Sequence, residues 1–407
     1  MHHTIKTIAG IDCIFAPMND ANSITIEVLI KAWSVYETRE DNGISHFLEH
    51  MFFKWGKKYK TPKAVAQAVE QFGGEFNAFT SLYYAGYYVK AAPDFTHQAC
   101  DVLADMLVHS QFPKPELERE KGVVLQEIAM YEDEPQEVVS DKRQQRYYGD
   151  NSYGRPTLGT TENVKSFSQE DLFTHKKSLY TKDNLIIIVA GKIHNQNILE
   201  EHIHTLFQAL PEKKKKNKPD YPRVLPSQST SFFEKWTQQN HLIFAMPGFT
   251  RYEQEKYAAK VFMTIVGGNM SSRLFQNVRE KEGLCYYISW THSAGPDDGA
   301  FYIRAGIDKE RFNFGVEKIN KELDILANKG ITKKEFENTI GYITGQVQMG
   351  IESSDSLAMF LGTQYLLYNK IRTLEDILKK YNKLSLSEIN KVRENLASEK
   401  RFLYYVK

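Results

Sequence analysis

The stretch GISHFLEHMFFKWG, Gly43 to Gly56, places His46, Glu49 and His50 within five residues of an otherwise apolar and aromatic segment. On an α-helix, side chains four apart lie on one face, one turn above the other. His46 and His50 can then offer two imidazole nitrogens to a single ion, with Glu49 beside them. Imidazole and carboxylate are ordinary zinc ligands, and a catalytic zinc takes three from the protein and keeps one position open for water. The competing reading is a core helix whose two histidines are satisfied by hydrogen bonds.

Two histidines need a third ligand from elsewhere. The segment EREKGVVLQEIAMYEDEP offers Glu120 and Glu127, seven apart and so two turns along one helical face. Val123, Val124, Leu125 and Ile128 around Glu127 suggest that much of this helix is buried, and a buried carboxylate is costly unless paired or bound to metal. Glu127 is the best third ligand on these grounds. Glu120 would then sit outside it, orienting a ligand histidine. The competing reading makes both solvated helix glutamates, as Glu132 and Glu134 are expected to be.

The elements that must position these groups follow from periodicity. SITIEVLIKAW (Ser23 to Trp33) is rich in β-branched residues and reads as a strand. The histidine segment follows as a helix, then PKAVAQAVEQFGG as a second helix stopped by Gly73 and Gly74. EFNAFTS and YYAGYYVKAA read as adjacent strands. PDFTHQACDVLADMLVHS and KPELEREKGVVLQEIAMYEDEP are helical, each opening near a proline. SQEDLFTHKKSLY is a helix leading into the strand NLIIIVAG.

Residues 211–229, PEKKKKNKPDYPRVLPSQS, hold four of the chain's 13 prolines and a lysine run without interleaved aromatics. This composition reads as a solvated linker rather than a nucleic-acid patch. After it the order recurs: strand HLIFAMPGF, helix YEQEKYAAKVFMTIVGG ending in paired glycines, strands CYYISWTH and AFYIRAGI, then long helices. Ser168 to Leu172 precedes Leu185 at the same offset at which Ser385 to Ile389 precedes Phe402. The pattern implies two related α+β domains, each a mainly antiparallel sheet packed with helices, over 1–210 and 230–407. Two units of this size are too few for a solenoid.

Length and charge agree. A chain of 407 residues exceeds what one core usually covers. Its composition, 42% hydrophobic and 25% charged, is that of a globular protein, and a net charge of +1 gives no reason to expect nucleic acid or an anionic membrane as partner. The longest apolar runs fall well short of the ~20 residues that span a bilayer. No export or organelle signal is visible at the start. Cys13, Cys100 and Cys285 are odd in number and widely spaced, which suggests a reducing cytoplasm.

Taken together, H-x-x-E-H at His46 to His50 and a glutamate seventy-seven positions beyond His50 resemble the inverzincin metallopeptidases. This is the family of pitrilysin, insulin-degrading enzyme and the mitochondrial processing peptidase. NAFTS, YGRPTLGT, YTKDNLIIIVAG and, in the second half, SSRLFQNVREKEGLCYYIS are similar as well. The length fits the short, two-domain, processing-peptidase-like branch. NSYGRPTLG departs from the family, which more often has His-Pro before the Tyr-Gly; a loop difference without effect on catalysis is expected.

The resemblance implies roles. His46, His50 and Glu127 would bind one zinc per protomer, and Glu49 would be the general base. Asn77, Ala78, Phe79 and Thr80 would form an edge strand to which a peptide adds. Arg279 and Tyr286 would support the developing oxyanion and the substrate. The implied activity is zinc-dependent endopeptidase action on unstructured peptides. One chain carrying both halves of the machinery favours a homodimer. The rival class is a non-catalytic peptide-binding or structural partner subunit of the same family.

Overall fold

The strand NLIIIVAG is apolar at nearly every position, which makes sense only if both faces of its sheet are covered. The computed structural model describes residues 2–32, 34–213, 217–218, 221 and 229–407. Most of the expected linker at 211–229 lies outside the described residues, as does Trp33 at the end of the first expected strand. The chain forms two compact units, the first from residues 1–128, 155–220 and 349–373, the second from 129–154, 221–348 and 374–407.

The first unit holds, among the described residues, a six-stranded sheet of β1 (Thr4–Ile8), β2 (Ile11–Pro17), β3 (Ile24–Ile30), β4 (Glu75–Thr80), β5 (Ala85–Ala91) and β6 (Leu185–Gly191). The order is β1-β2-β6-β3-β5-β4, antiparallel throughout except for β2 beside β6. Ala9 and Gly10, both at positive φ, close the β1–β2 hairpin, as a two-residue turn matched to strand twist requires. Every residue of β3 and β6 is buried. Helix α1 (Ile44–Phe52) packs against β4, and α2 (Lys114–Asp133) follows the helix Thr96–His109, which packs against β3 and β5.

The other face of this sheet is covered by α3 (Ser354–Tyr368), from far along the chain. Leu357, Ala358 and Leu361 of α3 pack on Ile14, Leu29, Ile186 and Ile188. The approach is close: a Cβ on Gly362 would stand 2.7 Å from Leu29 Cδ1 and 2.8 Å from Ile188 Cδ1. The N-terminal end of α3 is fixed by Ser354 Oγ, 2.8 Å from Thr25 Oγ1 and 2.9 Å from Ser23 Oγ.

The second unit holds, among the described residues, β7 (Thr230–Phe233), β8 (Gln239–Pro247), β9 (Cys285–Ala294), β10 (Gly299–Asp308) and β11 (Phe402–Val406), in the order β7-β11-β8-β10-β9. Only β7 and β11 pair in parallel. The run β11-β8-β10-β9 repeats β6-β3-β5-β4, so the duplication read from the sequence is a duplication of sheets. Alternate residues of β8 serve two cores. Leu242, Phe244 and Met246 face Val261, Phe262, Ile319 and Leu323. Ile243 and Ala245 face Val138, Val139 and Tyr147 of the helix Pro135–Tyr148. Each sheet thus takes its second cover from a helix that belongs, in sequence, to the other half.

Candidate metal centre

α1 begins at Gly43, whose φ of +95° suits glycine, and a Cβ there would collide with Gly159 Cα at 2.5 Å. The free N–H groups of its first turn are met by Glu37, which is fully buried. Its carboxylate accepts from Gly43 N at 2.8 Å, Ser45 N at 2.9 Å and Asn42 Nδ2 at 3.0 Å. Burial raises the Glu37 pKa, and these donors offset the rise only in part. The GRPTLG loop completes the collar: Arg155 Nη1 donates to Glu37 O, and Asn42 Nδ2 also donates to Pro156 O, each at 3.0 Å. The departure noted in NSYGRPTLG therefore lies beside the support of the histidine helix. Phe52, on the core side of α1, packs against Tyr87, Phe112 and Tyr180.

On the opposite side, His46 and His50 meet α2. Glu127 Oε2 lies 3.6 Å from His46 Nε2 and 3.4 Å from His50 Nε2. Among the described residues, His46, His50 and Glu127 form the group of donors able to hold a metal ion. Ligands about 2.0–2.2 Å from a tetrahedral zinc would be separated by roughly 3.3–3.6 Å, which matches these spacings. Glu120 Oε1 is 2.8 Å from His50 Nδ1, and its other oxygen is 2.7 Å from Lys54 Nζ. Glu120, 3% exposed, is the more deeply buried of the two glutamates, whereas Glu127 is half-buried. The expectation that much of α2 is buried is corrected: only the stripe Leu117, Glu120, Val124 and Ile128 is buried, and Val123 is 44% exposed.

The electrostatics divide the two histidines. Burial, and secondarily His50, lower the His46 pKa to about 3, so its ring is neutral and ready to ligate. Burial also opposes a charge on His50, but Glu120, Glu127 and Glu49 together outweigh it and raise its pKa. Burial again opposes ionisation of Glu120, yet His50 and Lys54 hold its carboxyl below the usual range. Glu49 is shifted upward by burial, with Thr80 and His50 acting against the shift. Its Oε2 and the Nδ1 of His46 are buried without a hydrogen-bond partner among the described residues.

The remaining expected site residues fall in two places. Asn77, Ala78, Phe79 and Thr80 lie on β4, the terminal strand of the first sheet. Asn77 Oδ1 accepts from Ala78 N at 2.8 Å, and the Phe79 ring packs on the α3 side against Tyr84. Arg279 and Tyr286 belong to the second unit. The Arg279 guanidinium lies 4.4 Å from the Phe275 ring centre and 5.7 Å from that of Tyr286. Tyr286 is 79% exposed because of a β-bulge: Ala305 pairs with Ile288 but Ile307 with Cys285, leaving Tyr286 and Tyr287 opposite Gly306. Strict alternation would turn Tyr286 into the core beside Ile288 and Trp290. Tyr287 is engaged by His241, its hydroxyl 2.9 Å from Nδ1.

Sequence reasoning missed Glu37 and Lys54. Lys54 had a signal, one turn beyond His50 on the same face. Glu37 had none, since it lies outside the helix it caps.

The fold and this donor set define a two-unit metallopeptidase scaffold. Residues 15–161 match the insulinase (peptidase family M16) model, and 166–341 match the peptidase M16 inactive domain. The chain is 37% identical over 390 residues to a Bacillus subtilis protein named uncharacterized zinc protease YmxG, covering 96% of this chain and 94% of that one. It is 29% identical to the uncharacterized zinc protease SCO5738 of Streptomyces coelicolor, covering 95% and 85% respectively. The fold is also that of a Helicobacter pylori protease crystal structure, with TM-score 0.91 at 21% identity over 100% of this chain and 99% of that one. The chain belongs to the M16 (insulinase) peptidase family, as a short two-domain member. No helix among the described residues is long and apolar enough to cross a membrane.

Proposed function

We propose that the protein is a zinc-dependent metalloendopeptidase acting on unstructured peptides. The observation that carries this reading is that Glu127 Oε2 lies 3.6 Å from His46 Nε2 and 3.4 Å from His50 Nε2, with Glu49, its Oε2 buried, on the same helix as the two histidines. A zinc ion held by these three would acidify a water and polarise the scissile carbonyl. Glu49, its pKa raised by burial, takes the proton from the attacking water and returns it to the leaving amine. Glu120 fixes the tautomer and orientation of His50, and Lys54 holds Glu120 in its charged form.

The substrate adds to β4 as a further strand, with backbone bonds giving affinity. Asn77 must release the Ala78 N–H for this pairing, because its own side chain now accepts it. Arg279 and the outward-turned Tyr286 support the developing oxyanion. All four residues proposed around the metal, with Glu120, lie within the stretch that matches the peptidase model, none in the stretch that matches the inactive domain. We further place the domain boundary in 211–229, within which the chain passes from the first unit to the second. The reading includes a homodimer in the cytoplasm.

Metal analysis combined with Glu49→Gln tests the proposal. The variant keeps about one metal per chain and loses peptide turnover. A wild-type protein that binds zinc but cuts no member of a peptide library would instead support the non-catalytic partner subunit.

A further inference from the structure

Trp236 and Tyr286, 83% and 79% exposed, are the most exposed large apolar side chains among the described residues. Single exposed apolar residues are ordinary, so exposure alone says little. Both, however, lie at one end of the second sheet. Trp236 stands three residues before Gln239, the first residue of β8, which pairs with Asp308 at the end of β10. Ile307 of β10 pairs in turn with Cys285, the residue before Tyr286. Two strand spacings, about 10 Å, separate β8 from β9.

The residues on either side of Trp236 are fixed. Lys235 N donates to Lys407 O at 2.8 Å, just past the end of β11. Lys235 Nζ donates to Glu132 O and lies 3.9 Å from Asp133 Oδ1. Thr237 is buried. The rings of Phe232 and Phe233 on β7 are capped by Lys407 and Lys142, whose Nζ atoms stand 4.0 and 5.7 Å from the ring centres. The indole of Trp236 has no such ring or cation contact among the described residues. An aromatic side chain presented in this way, with only two χ angles to fix, loses little entropy on binding, and Trp, Tyr and Arg are the residues in which binding energy concentrates.

The anchor of Lys235 indicates the occupant. Glu132 and Asp133 end α2, the helix that carries Glu127. Five helical residues, about 7.5 Å along the axis, separate Glu127 from Glu132. The indole thus shares its sheet end with the Arg279 and Tyr286 pair, and its loop is tied to the helix of a proposed metal ligand. We propose that Trp236 is a specificity residue of the peptidase, which receives an aromatic or large aliphatic side chain of the bound peptide away from the scissile bond.

The inference rests on the peptidase reading, and cleavage mapping of a random peptide library by mass spectrometry tests the two apart. The wild type should prefer aromatic and large aliphatic residues at one fixed distance from the cut bond. Trp236→Ala should lose that preference and keep those at other positions, with zinc content and melting temperature unchanged. Loss of one apolar side-chain contact should lower kcat/KM on the best peptide about tenfold or more, mainly through KM. Trp236→Phe should keep most of it. Replacing the preferred residue of the peptide by alanine should cost the wild type the same factor and cost Trp236→Ala nothing further, a dependence that a merely structural role would not produce. If the wild type cuts nothing, the peptidase reading fails by itself, and retention of the library on immobilised protein decides instead: peptides with aromatic residues should be retained by the wild type and released by Trp236→Ala. An unchanged preference in Trp236→Ala, losses that add, equal retention by both proteins, or a variant that alters only the oligomeric state in sedimentation overturns the proposal.

Discussion

Glu120 is the side chain on which the geometry of the metal centre can be tested without touching a metal ligand. It lies 2.8 Å from His50 Nδ1 through one oxygen and 2.7 Å from Lys54 Nζ through the other. Glu120→Gln keeps the volume but cannot serve both neighbours. If the amide oxygen accepts from His50, the amide nitrogen opposes the Lys54 ammonium; turned round, it opposes His50. Replacing a charge-assisted bond by a neutral one costs about 1 kcal/mol, and leaving a largely buried ammonium without its counter-ion costs about 1–3 kcal/mol. Loss of an outer carboxylate behind a ligand histidine typically lowers metal affinity by about 10–100-fold. The assay is competition for zinc against a chromogenic chelator, alongside denaturant unfolding of the metal-free protein. The variant is expected to lose both affinity and stability. Lys54→Met in the Glu120→Gln background removes the unpaired ammonium and is expected to recover stability but not affinity. A zinc affinity within about threefold of wild type would refute the claim that Glu120 positions His50.

Other expectations follow from the same geometry. Zinc uptake by the metal-free protein should release close to one imidazole proton in mildly acidic buffer, from His50, since His46 stays neutral down to about pH 3; potentiometric titration during metal addition measures it, and two protons would contradict the division between the rings. Glu27, on the fully buried β3, has its carboxyl pushed up to about 8 by burial and by Asp355. A raised acid pKa means that its favourable contribution is present below the unfolded value near 4.5 and is lost as pH rises through 8. Glu27→Gln should therefore raise the melting temperature at pH 9 relative to wild type and change it little at pH 4, and equal effects at both would be inconsistent with the shift. Tyr286→Phe should lower kcat on a fluorogenic peptide by about 10²-fold with zinc content unchanged. Tyr287→Phe should instead lower stability by about 1 kcal/mol through loss of its bond to His241; the reverse pattern in kinetics would transfer the proposed role to Tyr287.

The sequence exposed the metal centre unevenly, for physical reasons. His46 and His50 were legible because four-residue spacing on a helix is a local property, and Glu120 and Glu127 because seven-residue spacing is another. The relation between these two pairs is not local: the apolar neighbours of Glu127 pointed to it, and the resemblance to a peptidase family supported it. The degree of burial along α2 was misjudged because clustered valines say that some face is covered, not which: Val124 is buried while Val123 is 44% exposed. Apolar runs such as LIIIVAG announced that both sheet faces needed cover. They could not announce that the cover for β3 and β6 would come from Ser354–Tyr368, or that Pro135–Tyr148 would serve β8. The outward turn of Tyr286 depends on a one-residue bulge opposite Gly306, which strand alternation predicts the wrong way round.

The exchange of covering helices has a consequence for how the polypeptide is made. Synthesis proceeds from the N-terminus, and domains generally fold as they emerge. Here the first sheet has all six strands once residue 191 is available, yet one of its faces awaits α3, which ends at Tyr368 of a 407-residue chain. A nascent chain halted before that point would present Ile14, Leu29 and Ile188 to solvent, a surface suited to holding chaperones. Two separately expressed fragments, 1–210 and 221–407, should by the same logic be insoluble alone and complement one another when produced together.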